Sequence, residues 1–510
     1  MSCTFDYAKW REKITNTGEN QMSKNIRKVV ILGGGTAGWM TAAILSKSLS
    51  QLDITLIESE QIGTIGVGEA TIPSLHFFND MLGINSSEFT KQTSGTFKLG
   101  IQFEGWHKKN EKYFHAFGTT GTGMWAADFH EYWKRGVELG IAKPFSHYNF
   151  EAQAAKSNKF AHQPGELNFA YHLDASLYAT LLQKEAVKHG VTRVEGIVDH
   201  VNTCPESGHI TQLILDNKQT VCGDLFIDCS GFTGLLINKT LHTPFVDWSH
   251  WLPMDRAIAV QTELQQAPVP YTRSIAHTSG WQWRIPLQHR MGNGIVYSSK
   301  YMSDDDALEL LLNSVEGDTL TTPRKIQFKT GYRQQLWNKN CIAIGLAGGF
   351  IEPLESTAIH IMQQGIMQLI KHFPSNGINE IDVTQYNDYM SRDYAEIRDF
   401  IILHYCQTER KDSEFWEFCQ NMDIPASLKQ RMDMFKQTGR FIPKPYEIFG
   451  DSWLQVMIGQ GLVPNQHHVL ADELSEQELN EFLSHSEKNI QEKVNHLPSH
   501  RDYLRSISRR

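Results

Sequence analysis

Paired cysteines are missing from this chain of 510 residues: the seven present, Cys3, Cys204, Cys222, Cys229, Cys341, Cys406 and Cys419, are scattered and none forms a C-x-x-C. That spacing argues against a zinc or other metal site and against a disulfide scaffold. Long apolar runs are missing too. None reaches the roughly 18–20 residues of a membrane span, and MSCTFDYAKWREKITNTGENQ at the start has no apolar stretch of the secretory kind. The expectation is a cytoplasmic protein with no membrane contact, carrying an N-terminal extension over residues 1–25. A surplus of positive charge is absent: the formal net charge is −9, which disfavours a general grip on nucleic acid. There is no internal repeat and no low-complexity linker. What remains is an ordinary globular balance, 40% hydrophobic and 21% charged, with enough length for one large core or two to three domains. Twelve Trp and 26 Phe are also there; packing accounts for most, but planar ligands meet such residues.

The first strong element is RKVVIL, Arg27–Leu32, a β-branched run ending in glycines that suits a buried parallel strand. TAGWMTAAILSKSL then has helical spacing, and DITLIES, Asp53–Ser59, is a second strand, making a β-α-β unit. The turn GGGTAG, Gly33–Gly38, satisfies G-x-G-x-x-G. Gly33 permits the tight turn, Gly35 lets a pyrophosphate approach the backbone, and Gly38 lets helix and strand pack closely. The amides beginning at Thr36 and Ala37 offer a helix N-terminus to phosphate. Glu58, at the end of the second strand, suits a ribose hydroxyl; on its own it could equally be a solvated strand-end acid. Two further glycine corners follow strand-like runs, at Asp224–Gly234 and at Gly345–Pro353, the latter including Phe350. Three such corners suit an extended flavin dinucleotide better than NAD. Strands are expected over Arg193–Ile197, Asp224–Cys229 and Ile342–Ile344, and antiparallel ones over Ile210–Leu215 and Ala257–Glu263. GTTGTG, Gly118–Gly123, follows no strand-like run and reads as a loop. From about Ile359 the pattern is mostly helical, and residues 470–510 read as surface helices.

GWQWRIP at Gly280–Pro286, GVGEATIP at Gly66–Pro73 and PLEST at Pro353–Thr357 occur in this order, followed by Arg398-Asp399-Phe400, His404-Tyr405 and Phe415-Trp416. Together these motifs resemble the flavin-dependent, tryptophan-type halogenases, from about Arg27 to about Pro464. The resemblance implies an α/β (α+β) fold. A discontinuous, Rossmann-like FAD-binding module with β-sheets over residues 26–360 would merge with a mostly helical substrate-binding region over 361–510. It implies reduced FAD (FADH2) delivered by a separate flavin reductase, with O2 and a halide, chloride or bromide, as co-substrates. Hypohalous acid would then reach an electron-rich aromatic ring, with a homodimer possible by analogy. Gly66, Val67, Gly68, Glu69 and Ala70 would contact the flavin, along with Gly345 and Phe350.

The resemblance makes Lys98, in GTFKLGIQFEGW, the catalytic lysine, holding hypohalous acid by a hydrogen bond or as a haloamine. Without the motif it would read as a surface lysine on an alternating strand. Glu355 would orient the halogenating species and take the ring proton; its other reading is a capping acid at a helix start. Thr357 and Ala358 would offer amides to the halide, with Ala358 standing where the family often has glycine. Trp281, Trp283, Ile285 and Pro286 would divide flavin from substrate, the two tryptophans sharing one face of a strand. His115 and Phe117 would sandwich a flat substrate, with Trp453 as a further wall. The lid FIPKPYEIFGDSW, Phe441–Trp453, lacks the Tyr-Tyr pair by which such enzymes grip free tryptophan. A zwitterion without polar partners does not recover its desolvation cost, so free L-tryptophan is expected to be a poor substrate and indoles better ones. A flavin monooxygenase or a non-catalytic flavin-binding protein are the competing readings.

Overall fold

The computed structural model describes residues 25–62, 68–162 and 167–508. The expected extension, apart from residue 25, and the strap residues Gly66 and Val67 lie outside the described residues.

The β-α-β unit forms as its pattern requires. Strand Lys28–Leu32 pairs in parallel with Asp53–Glu58 on one side and Leu225–Asp228 on the other. Cys341–Ala343 and Thr192–Glu195 extend this sheet in parallel at its two ends, with Trp337–Asn338 as an antiparallel edge. The six strands come from five stretches of chain spread over three hundred positions. Their centre is almost wholly apolar and buried, as expected of a parallel sheet covered on both faces. Helix Thr36–Ser48 fills one face; Ala42, Ala43, Ile44 and Leu45 have no exposed surface.

A seven-stranded sheet carries the site. In spatial order it runs Arg324–Gln327, Arg256–Thr262, Met291–Tyr297, Gly280–Pro286, Thr272–Ala276, Gly100–Glu104 and Lys112–Ala116. All its pairings are antiparallel except Thr272–Ala276 against Gly100–Glu104. The antiparallel expectations at 210–215 and 257–263 hold, as Ile210–Leu215 and Arg256–Thr262. Gly294 matters here: a Cβ on it would lie 2.0 Å from the Trp283 ring, so its bareness lets that indole lie across the neighbouring strand.

Beyond Ala358 the chain is helical. Ala358–Lys371 leads into the 27-residue helix Glu380–Cys406, opened by the Asn379 side chain accepting from the Ile381 amide. Its last turns, Asp399 to Tyr405, are buried. Shorter helices Glu414–Asn421, Ala426–Thr438 and Ser452–Gly459 pack around it. Glu476–His496 begins with a full Ser475/Glu478 capping box. No helix among the described residues is long and apolar enough to cross a membrane.

Candidate active site

At the first glycine corner, Gly33 has φ +115°, and a Cβ there would lie 2.3 Å from the Cys229 carbonyl oxygen. A Cβ on Gly38 would lie 1.8 Å from the Gly33 oxygen, so the helix must approach this closely without a side chain. Among the described residues, nothing lies within 4 Å of a Cβ placed on Gly35. The turn is therefore tight where it touches protein and open where a pyrophosphate would approach. No side chain caps the helix at Gly35, which leaves its first amides at Thr36 and Ala37 for an anion. Glu58 packs against Gly34 and accepts from Arg193 Nε at 2.6 Å. Gly345, φ +73°, packs against Ala37.

A mostly apolar cavity of about 170 Å³ lies next to this corner. Gly68, Glu69 and Ala70 line it from the strap, Trp281, Trp283 and Ile285 from the central strand. Phe350 and Pro353 close it from the third glycine corner, and Ser356 and Ala358 from the chain just beyond. The two tryptophans and Ile285 share one wall, as strand alternation requires. Pro286 does not join them; its carbonyl accepts from the Thr96 hydroxyl at 2.7 Å. Planar apolar walls beside an uncapped glycine turn fit a flavin dinucleotide.

Behind the Ser356 wall lies Lys98. The short strand Thr96–Lys98 pairs with Ala170–Asp174, and the lysine side chain has no exposed surface. The reading of Lys98 as a surface lysine is therefore wrong: the alternation expected of its strand fails because all three residues are buried. Its Nζ donates to the Thr71 carbonyl at 3.0 Å and to the Ser356 hydroxyl at 2.8 Å, and sits 5.2 Å from the centre of the Phe117 ring. Burial pushes this ammonium down to about 7, against the opposing pull of the Glu355 carboxylate.

Glu355 is 2% exposed. Its oxygens lie 3.1 and 3.0 Å from His115 Nδ1, and Oε1 lies 2.8 Å from His404 Nε2. Burial would raise the carboxyl, but the two imidazoles, His115 first, outweigh it and hold it down at about 2. The capping role does not materialise, since the helix begins at Ala358, with Thr357 at the cap position and no side-chain cap. The Thr357 hydroxyl is buried and has no partner among the described residues, and the amides of Thr357 and Ala358 stand at that helix start. Between them and Glu355, Ser356 adopts φ +61°, so that Ser356 faces the cavity and the lysine at once.

Aromatic rings surround the carboxylate. His115 meets Phe400 edge-on at 5.8 Å, Phe400 stacks on Phe449 at 3.9 Å, and Trp453 meets Phe400 at 4.8 Å. Arg431 covers the other side of Trp453 at 4.3 Å. Gln455 ties this helix to the strand end, accepting from the Ala116 amide and donating to the Gly118 carbonyl. Tyr446, the lid's one tyrosine, is 96% exposed and takes no part. Sequence reasoning assigned no role to Ser356 or His404, although both fell within quoted motifs. Neither did it find Glu352, fully buried, accepting from Tyr405 at 2.5 Å and pushed up by burial to about 8.

The tryptophan halogenase family model matches residues 28–476. Among curated relatives, tryptophan 7-halogenase RebH of Lentzea aerocolonigenes is 34% identical over 87% of this chain and 91% of its own. Among solved structures, the flavin-dependent halogenase Xcc4156 from Xanthomonas campestris is 49% identical with a TM-score of 0.94, over 95% of this chain and 99% of that one. BrvH, a flavin-dependent halogenase from Brevundimonas sp. BAL3, is 41% identical with a TM-score of 0.91, over 94% and 99%. With these likenesses spanning both the glycine corner and the buried lysine and carboxylate, the chain belongs to the tryptophan halogenase family and is a flavin-dependent halogenase.

Proposed function

We propose that this enzyme brominates or chlorinates an indole or a similar electron-rich heteroaromatic, and that free L-tryptophan is a poor substrate. One observation carries the reading: the Ser356 hydroxyl lines the flavin-type cavity and also holds the buried amine of Lys98. Glu355, the residue before Ser356, acts electrostatically on the same amine from its own buried position. Gly33, Gly35, Thr36, Ala37, Gly38 and Glu58 would hold the dinucleotide. Gly68, Glu69, Ala70, Gly345 and Phe350, with Gly66 and Val67 of the strap, would hold the rest of FAD. When bound, reduced FAD from a separate reductase would supply, with O2, the oxidising power that converts halide to hypohalous acid. The Thr357 and Ala358 amides would bind the halide.

An ammonium has three N–H donors. Two of Lys98's are committed to Thr71 and Ser356. The third is free to hold the hypohalous acid and to give its proton to the departing hydroxide, which becomes water. When halogen adds to the ring, the ring C–H bond breaks, its electron pair restores aromaticity, and the proton goes to Glu355. That proton balances the one lost by Lys98. Phe117, His115 and Trp453 would present flat faces to the ring. Trp281, Trp283 and Ile285 would keep substrate out of the flavin cavity. The solvent-facing Tyr446 leaves the lid without a grip on a zwitterion.

The test supplies reduced FAD, O2, bromide and indole and follows product mass. The expected result is bromoindole from the wild type, none from Lys98→Ala, and equal flavin binding by both. Oxygen addition without halogen would establish the monooxygenase reading instead.

A further inference from the structure

Two hydroxyls, Thr272 and Ser274, stand between the tryptophan wall of the cavity and the surroundings of Glu355. Strand register places them. Ser274 lies opposite Trp283 on one side and Phe103 on the other, and Phe103 lies opposite Tyr113. Thr272 lies beside Ile101, and Ile101 lies opposite His115, which contacts Glu355. Directly paired residues put their side chains on one face, and Thr272 and Ser274, two apart, share it. That face runs from Trp283 past the two hydroxyls to His115, two strands or about 10 Å beyond Thr272. Both residues line the cavity, and both are buried.

The Ser274 hydroxyl has no partner among the described residues. The Thr272 hydroxyl has one, and the groups behind it fix its direction. The Thr96 hydroxyl donates its single hydrogen to the Pro286 carbonyl at 2.7 Å. Toward His172 Nδ1, 2.8 Å away, Thr96 can then only accept, so Nδ1 carries hydrogen. Burial first, then the charges of Lys98 and His500, push the His172 imidazole well below its ordinary pKa. In the neutral ring Nε2 is bare, and Thr272 donates to it at 2.9 Å. Thr272 then leaves the cavity an oxygen with lone pairs and no hydrogen.

An acceptor beside an uncommitted hydroxyl matches a small neutral molecule with one O–H and one acceptor oxygen. It matches a halide poorly, since an anion takes donors only. Hypohalous acid is such a molecule, and a mostly apolar cavity would otherwise strip it of the hydrogen bonds it makes in water. We propose that Thr272 and Ser274 hold hypohalous acid by hydrogen bonds on its way from the cavity to Lys98, with His172 as the positioning residue that keeps Thr272 an acceptor. The acid donates to Thr272 and accepts from Ser274, and no covalent bond changes. Ser356, which lines the cavity and holds Lys98, is the next hydroxyl on the route. The proposal rests on the reading of Lys98 as the residue that receives the acid.

The test runs bromination of indole with a halogen-accepting 1,3-diketone dissolved in the bulk, and counts bromoindole and bromodiketone per flavin oxidised. Thr272→Val and Ser274→Ala keep shape and remove one hydroxyl each. Both, and the double variant, are expected to bind and reoxidise flavin as the wild type does. Bromoindole should fall about tenfold in the double variant, with the missing bromine on the diketone. Thr272→Ser, which keeps the hydroxyl, should stay near wild type. His172→Phe should divert bromine as Thr272→Val does, and combining the two should add little. A folded double variant with an unchanged product split overturns the proposal. So does a fall in total bromination that follows a loss of flavin affinity, since the hydroxyls would then serve the flavin. Should the variants fail to fold, nitrogen NMR of the wild-type His172 ring decides: hydrogen on Nδ1 alone supports the proposal, and hydrogen on Nε2 sinks it. Failure of the underlying reading shows separately, in the controls: a wild type that makes no bromoindole, or a Lys98→Ala enzyme that makes it undiminished, removes the destination of the acid and the proposal with it.

Discussion

The glycine corner at residues 33–38 and the pocket around Glu355 are built from opposite materials. The first is backbone within six consecutive residues, shaped by what is left out: no Cβ at Gly33 or Gly38, no capping side chain at Gly35. The second is almost entirely side chain, from Lys98, His115, Glu355, His404 and Trp453, drawn together across more than three hundred and fifty positions. A site of the first kind depends on close approach and tolerates no added atom. A site of the second kind depends on charge and donor placement and tolerates little loss.

Substitutions that separate these dependences should leave opposite signatures. The largest effect is expected from Glu355→Gln, which preserves shape and removes charge. Turnover should fall by about 10²–10⁴ with flavin affinity unchanged in a binding titration; unchanged turnover would return the carboxylate to a structural role. Gly38→Ala should do the reverse. Its methyl would collide with the Gly33 carbonyl, so flavin affinity and melting temperature should both drop, while turnover per bound flavin stays near wild type. Phe117→Ala should be milder, raising KM for indole about tenfold through lost ring contact, with flavin binding untouched.

Acidity gives the smallest and most graded effect. With its ammonium pushed down to about 7, Lys98 loses its proton as pH rises through that value, so a rate that needs the charged form should decline on the alkaline side. The stability sign is opposite. Between about 7 and its ordinary 10.5, the unfolded chain binds this proton more tightly than the folded one. Folding stability from this group therefore increases with pH across that window. An enzyme growing more stable while turning slower over the same range would link both to one amine.

The same division explains what could be read from sequence. Gly33, Gly35 and Gly38 disclose their work because backbone demands are local and a turn is written in adjacent residues. Most of the strands around them follow from β-branched runs for the same reason. Lys98 carries no such mark: by spacing it is a lysine on a strand, and only the resemblance of the neighbouring motifs singled it out. Ser356 and His404 could be quoted but not interpreted, since their roles arise where a 27-residue helix delivers position 404 to position 355. Pro286 shows the limit from the other side, as motif membership placed it with the tryptophans while its carbonyl serves Thr96.

Ser356 has a practical consequence for anyone improving this catalyst. A left-handed backbone costs a residue with a Cβ about 1 kcal/mol that glycine avoids, so a screen for heat tolerance would tend to pick glycine at this position. Such a variant would survive warming better while losing the hydroxyl that tethers the amine of Lys98. Ranking variants by melting point alone would thus quietly select against the chemistry, and this position is best held fixed when the scaffold is hardened.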